Sequence, residues 1–180
     1  IRDRYYYDQA GNLVQTVPPQ GVHIVPSANF PAGVWDGTDP DHDMKTMYTY
    51  NALGQLLKTQ TPDGGKSRFY YNSAQQLRFS QNDYQATLNE YSYTRFDELG
   101  RPIEVGVTEI SAFTSYHQTY KDDNAYPLST VANPNKEVTR TYYEEQPLAL
   151  NSTIGWEPKD LNTRIGAVAY YESFDGNQDT

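Results

Sequence analysis

A short tyrosine-rich motif recurs along the chain, and it constrains the fold more than any other sequence feature. Four copies are recognisable, at Tyr5–Val14, Tyr48–Leu57, Phe69–Leu77 and Tyr93–Ile103. Copies one and two share the pattern Tyr-x-Tyr-Asp/Asn-x-x-Gly, whereas the third has lost the glycine. Weaker echoes follow at residues 142–144 and 170–172. Repetition at this spacing indicates a supersecondary unit used several times.

Each position of the motif has a role in a β-hairpin. Tyr48 and Tyr50 lie two residues apart, so they share one face of a strand while Thr49 lies on the other. The Asp or Asn that follows can cap the turn through its side chain. Glycine then stands where a type I turn followed by a left-handed residue requires positive φ. The residues expected to build the repeat are Tyr7, Asp8, Gly11, Tyr50, Asn51, Gly54, Tyr71, Asn72, Phe96, Asp97 and Gly100.

The composition agrees with an all-β fold of repeated antiparallel hairpins. The 180 residues include 17 Tyr, which suit the half-buried surface of a sheet. We expect a first hairpin over residues 1–21, an inserted Pro- and Asp-rich loop over 22–45, regular hairpins over 46–110 and a degenerate β-repeat region over 111–180.

Within the last region, the pattern predicts two or three strands over 115–143. It also predicts a strand at about 164–172, before a turn at Phe174–Asn177. No amphipathic helix is expected, and Ser80–Asp83 is interpreted as a turn between hairpins.

The motif resembles the YD repeat of bacterial Rhs proteins, which also occurs in the BC components of insecticidal toxin complexes and in teneurins. The match is clearest at Tyr5–Val14, Tyr48–Leu57 and Phe96–Ile103, with Asn51 and Asn72 in place of Asp. The tail at residues 162–172 is similar to Rhs-type proteins of Bacteroidetes.

This resemblance implies an internal stretch of a spiralling β-sheet shell that encloses a toxin or effector polypeptide. The implied partners are the rest of the parent Rhs-type chain, its toxin cargo and a secretion or delivery system. The implied location is secreted or on the bacterial cell surface. Neither a separate toxin domain nor a cleavage motif is found in the sequence, so a non-catalytic structural segment is the first hypothesis.

Charge and cysteine content exclude several other functions. The chain has 23 acidic and 14 basic residues, a net charge of −9, which argues against nucleic acid as the main partner. It has no Cys, so thiol catalysis and Cys-ligated metals are excluded. No apolar run approaches the roughly 18 residues of a membrane-spanning helix. No cofactor is expected.

Catalytic and metal sites are weakly indicated. The run Asp36–Asp43 carries four carboxylates and His42, a cluster that suits a hard cation, although a solvated loop is the alternative. Its order does not fit an EF-hand. Glu144 and Glu145 are adjacent, so on a strand they point to opposite faces and cannot act as a glycosidase pair. Because the chain also lacks the common hydrolase and phosphate-binding motifs, we expect no enzymatic activity.

A second hypothesis is a cell-surface module that binds carbohydrate or protein through exposed Tyr and Trp. Trp35 and Trp156 both lie in predicted loops, where a ligand can reach them. The alternative for the tyrosines is structural, with the rings stacking between hairpins.

Overall fold

The computed structural model describes residues 2–24, 41–110, 120–130, 133–144 and 164–176. Just over half of these residues are in strands, and the strands form one antiparallel sheet in which each pairs with the next along the chain. The all-β prediction is therefore confirmed. The ten strands are β1 (Arg4–Tyr7), β2 (Leu13–Val17), β3 (Thr46–Tyr50), β4 (Leu56–Thr61), β5 (Gly65–Tyr71), β6 (Leu77–Asn82), β7 (Glu90–Phe96), β8 (Pro102–Glu109), β9 (Asn135–Tyr143) and β10 (Ile165–Phe174).

The chain divides into two compact units, Ile1–Arg68 and Phe69–Thr180. The first unit contains the hairpins β1–β2 and β3–β4, and its sheet continues into the beginning of β5. Strands β2 and β3 pair over only two positions, Gln15 with Met47 and Thr16 with Thr46. Among its described residues, few are buried, notably Val17 and His42, so both faces of this sheet are largely half-exposed.

The second unit has an aromatic core. Phe79, Tyr91, Tyr93 and Ile110 are buried together, and the half-buried rings of Tyr70 and Tyr126 pack against them. Tyr91 and Tyr93 lie two residues apart on β7, so they reach the same side of the sheet. A core built mainly from aromatic residues agrees with the Tyr-rich composition.

One helix departs from the sequence prediction. Helix α1 (Asp83–Leu88) follows β6 directly, where a simple turn was expected. Its capping box supplies the reason, because the Asn82 side chain accepts from the Gln85 N–H and the Gln85 side chain accepts from the Asn82 N–H. Asn89 then ends the helix in the left-handed conformation at φ 55°. The Asn-x-x-Gln pattern is the signal that the sequence analysis missed.

The last region is only partly as expected. Between residues 120 and 144 the described residues contain one strand, β9, rather than two or three. Residues 115–119 of that prediction lie outside the described part. Strand β10 confirms the predicted strand at about 164–172, and Gly176 follows it with a φ of +92°.

Candidate functional site: repeated turns and buried polar clusters

The first turn shows how the motif closes a hairpin. Asp8 Oδ1 accepts hydrogen bonds from the N–H groups of Ala10 and Asn12, both at 2.9 Å. The main chain adds a bond from Asp8 N–H to Asn12 O at 2.9 Å and one from Gly11 N–H to Asp8 O at 3.1 Å. Strand pairing then shifts by one residue between Tyr6 and Tyr7. This is a turn with an adjoining β-bulge.

The same two main-chain bonds occur in all four turns, which begin at Asp8, Asn51, Asn72 and Asp97. In each, the side-chain oxygen of the first residue also accepts the N–H four residues on. The structure therefore places the predicted Asp and Asn residues at equivalent positions of four hairpins. These contacts satisfy main-chain groups that would otherwise need water.

The glycines of the motif lie where positive φ is needed. Gly11, Gly54 and Gly100 have φ values of +85°, +76° and +78°. The third turn has no glycine, and Gln75 takes up the left-handed conformation there at φ 65°. The prediction of positive φ is confirmed, and the third copy keeps the turn without the residue that favours it.

A further residue of each turn also stabilises it, and the sequence pattern did not predict this role. The side chain four residues after the cap bonds back to the cap side chain, as Asn12 does to Asp8 at 2.9 Å and Arg101 to Asp97 at 2.6 Å. Gln55 and Gln76 accept from Asn51 and Asn72 at 2.7 and 2.8 Å, in the same arrangement. The sequence signal is the polar residue directly after the Gly position.

This arrangement affects the charge of the first turn. Hydrogen bonds from the Asn12 side chain and then from the Asn12 main chain hold the pKa of Asp8 below its usual value. The hydrogen bonds of the turn therefore favour the ionised form of Asp8, whose carboxylate oxygens act as acceptors, over the protonated form.

The aromatic residues of the motif are less uniform than its polar ones. Tyr7 is exposed, whereas Tyr50, Tyr71 and Phe96 are half-buried. The aromatic contacts in the second unit join other rings, including an edge contact of Tyr70 with Tyr91 at 6.2 Å between centroids. That contact joins rings of two different hairpins, whereas no ring pair between described residues involves Tyr7, Tyr50, Tyr71 or Phe96.

Among the described residues of the second unit, Arg78 is the buried side chain with the most hydrogen bonds. Its side chain is fully buried and donates to the main-chain carbonyls of Thr94, Lys121, Asp123 and Tyr126. The last three carbonyls belong to the segment 121–126, which the guanidinium thereby fixes to β6 and β7. Burial lowers the pKa of Arg78, and the nearby charge of Arg95 acts in the same direction.

A second buried cluster centres on Glu104 of β8. Its carboxylate contacts Arg95 at 3.1 Å and Arg140 at 3.0 Å, and it accepts from the Tyr93 hydroxyl at 2.8 Å. Asn135 donates to the same hydroxyl at 3.2 Å. Burial, followed by the charge of Glu104, raises the pKa of Tyr93. Since each charge has opposite-charge or hydrogen-bonding partners, the cluster joins β7, β8 and β9 rather than offering a reactive group.

The acid-rich run is only partly described, because residues 36–40 lie outside the described part. His42 is buried, and its Nδ1 accepts the His23 N–H at 3.0 Å while its Nε2 lies 2.6 Å from the Tyr6 hydroxyl. Asp43 pairs with His23 at 2.8 Å. Asp41 pairs with Lys45. The described part of this loop is thus held by pairwise contacts, and no group of three metal ligands occurs among the described residues.

Trp35, Trp156, His117 and Glu145 lie outside the described residues. Glu144 is exposed and lies 3.4 Å from Arg101. None of the described helices is long and apolar enough to cross a membrane.

Comparison with known proteins corrects the family prediction. The chain is 29% identical over 140 residues to salivary gland surface protein 1 of the mosquito Aedes aegypti. The match covers 71% of this chain but spans only 4% of that relative's length. No family model matches the chain. The prediction of a bacterial Rhs/YD-repeat protein is therefore wrong, because the similarity is to an insect protein, and no match supports a toxin or bacterial secretion.

Proposed function

We propose that this chain is a non-catalytic structural segment of a much larger secreted or surface protein, in which consecutive hairpins extend a β-sheet wall. The repeated turn carries the proposal. Four turns use the same cap and the same main-chain bonds, and each strand pairs with the next in the chain. A wall of this kind grows by adding hairpins at its edge, and pairing each edge strand removes a site of aggregation.

The location follows from the relative. That protein is described as a salivary gland surface protein, and the present chain corresponds to a small fraction of its length. We infer a secreted or cell-surface location for this chain as well, with the remainder of a longer polypeptide as its principal partner. Toxin cargo is not part of the proposal.

The distribution of polar groups supports a structural role over catalysis. Glu104 and Arg78, the most buried charged groups described, are fully engaged by partners that connect separate strands and loops. A catalytic side chain must be reached by a substrate, whereas these two side chains are almost completely buried. The half-exposed faces of the first unit also suit a sheet that lies among neighbouring parts of a larger protein.

The proposal is tested in the full-length protein expressed by its own cells. Gly54→Val and Gly100→Val together should lower the amount of mature protein at the surface or in the medium, since valine is strained at positive φ. The matched control is Leu99→Ser, which alters a 72%-exposed residue of one of the same turns. Antibody labelling of unpermeabilised cells and limited proteolysis are the readouts.

Two results would contradict the proposal. One is a turn variant with unchanged surface level and protease resistance. The other is hydrolysis of generic ester, glycoside or peptide substrates by the purified chain above the background of a mock purification.

A further inference from the structure

The first unit contains an open groove between its first two turns. It has a volume of about 640 Å³, within the range of roughly 300–1,000 Å³ that small-molecule sites occupy. Its origin lies in the strand pairing. Strands β2 and β3 pair only at Gln15–Met47 and Thr16–Thr46, and no further pairing between them is found towards the turns. The two hairpins separate there, and the groove opens.

The walls of this groove combine two aromatic rings with polar turn residues. Tyr48 and Tyr50, which share one face of β3, line it together with Asp8, Asn12, Asn51 and Gly54. Both tyrosines are half-buried, and their hydroxyls make no hydrogen bond to another described residue. The Cα atoms of residues two positions apart on a strand are separated by about 7 Å, so the two rings leave the backbone about that far from each other.

The turn side chains retain hydrogen-bonding capacity towards the groove. Asn12 uses its amide N–H on Asp8, while its Oδ1 lies within 3.9 Å of the position that a Cβ on Gly54 would take. Asn51 uses one amide hydrogen on Gln55, so a second is available. Because glycine leaves this space open, a ligand can approach the Asn12 oxygen closely.

The charge of the lining selects among ligands. Among the described residues, no Lys or Arg lines the groove, so it does not favour phosphate or carboxylate groups. The one carboxylate, Asp8, already accepts three hydrogen bonds within its turn. A sugar ring has an apolar face of C–H groups for an aromatic ring and an edge of hydroxyls for amide and carboxylate groups, so it matches both kinds of wall.

We propose that this groove binds a neutral carbohydrate, with one sugar ring against Tyr48 or Tyr50 and its hydroxyls on Asp8, Asn12 and Asn51. This binding goes beyond the structural role proposed above, and either can fail without the other. The wall needs the turns to form, whereas sugar binding needs the rings and the open space between them.

The test measures binding to the purified 180-residue chain by saturation-transfer NMR and calorimetry. The probes are methyl glucoside, methyl mannoside, cellobiose, maltose and chitobiose, with sialyllactose and choline as charged comparators. Saturable binding of at least one neutral probe is expected. Tyr48→Ala or Tyr50→Ala should weaken it by about tenfold, since a lost stacking contact is worth roughly one such factor.

Two further variants identify the site. Tyr84→Ala, at a 72%-exposed tyrosine on α1 outside the groove, should bind like the parent. Asp8→Asn keeps a turn cap of the type found at Asn51 and Asn72, and it should weaken sugar binding only a few-fold, because an amide oxygen still accepts. Thermal melts followed by circular dichroism verify that each variant is folded.

Three results would overturn the proposal. The first is no saturable binding of any neutral probe up to concentrations on the order of 10 mM, well above the range of weak specific sites. The second is sugar binding that the two Tyr→Ala variants leave unchanged. The third is preferential binding of choline that Asp8→Asn abolishes, which would identify a cation site.

Discussion

Replacing Arg78 with Met tests whether a buried guanidinium holds the segment 121–126 on the second unit. The side chain is fully buried and donates to four main-chain carbonyls, at 2.9 Å to Asp123 and 2.7 Å to Tyr126 among others. Methionine fills much of the same volume but donates nothing. Four carbonyls thereby lose their buried donor.

The expected loss of stability is the difference between the lost hydrogen bonds and the relieved cost of burying a charge. A hydrogen bond to a charged group contributes about 1.5–3 kcal/mol, so four bonds would give roughly 6–12 kcal/mol if they were additive. Burying the guanidinium costs several kcal/mol, which the Met variant recovers. We expect a net loss of about 3–5 kcal/mol in the free energy of unfolding. Arg78→Lys should lose less, because it keeps the charge, but one ammonium group cannot reach all four carbonyls.

The assay is urea unfolding combined with hydrogen exchange, which resolves the second unit from the first. Arg78→Met should accelerate exchange at the amides of residues 121–126 and in β6. The matched control is Arg68→Met on β5, a half-exposed arginine, where a change within about 0.5 kcal/mol is expected. If both variants unfold at the same urea concentration with equal exchange in 121–126, Arg78 does not hold the segment.

Three other perturbations follow from the structure. Gly100→Ala should lower the free energy of unfolding by about 1–2 kcal/mol in a thermal or urea melt, because φ is +78° at this position. Gly100→Asn should lower it less, because Asn adopts the left-handed conformation more readily. Equal stability of the parent and both variants would refute the requirement for positive φ in this turn. The pKa of Asp8 is lowered in the folded chain, so the ionised carboxylate contributes to stability in full at pH values above the ordinary pKa of 3.8. This contribution is lost as the pH falls through the pKa of the folded state. NMR titration of the Asp8 carboxyl carbon measures that pKa, and a midpoint at or above 3.8 would contradict the prediction. Glu104→Gln should lower the free energy of unfolding of the second unit by about 3–5 kcal/mol, because it leaves two arginines without their shared counter-charge. Glu98→Gln, in an exposed turn, is the control and should change the stability in urea little. Similar losses in both variants would show that the buried cluster stabilises the unit no more than an exposed charge does.

The family assignment shows the limit of a short motif. A motif with Tyr, then Asp or Asn, and then Gly at fixed spacing specifies a turn, because side-chain capping and positive φ are local requirements. Any protein that needs many such hairpins can use the same residues, so the motif predicted the fold class correctly and the protein family incorrectly.

The amino-acid sequence by itself determined the all-β class, the positions of four hairpin turns and the need for positive φ at Gly11, Gly54 and Gly100. These features depend on residues no more than a few positions apart. Tertiary structure alone decided which polar groups become buried. Arg78 bonds to carbonyls more than forty residues away, and Glu104 joins arginines from two other strands. The groove between the first two turns likewise exists only because β2 and β3 stop pairing before they reach those turns. Such contacts depend on how strands lie side by side, which local propensity and periodicity do not encode.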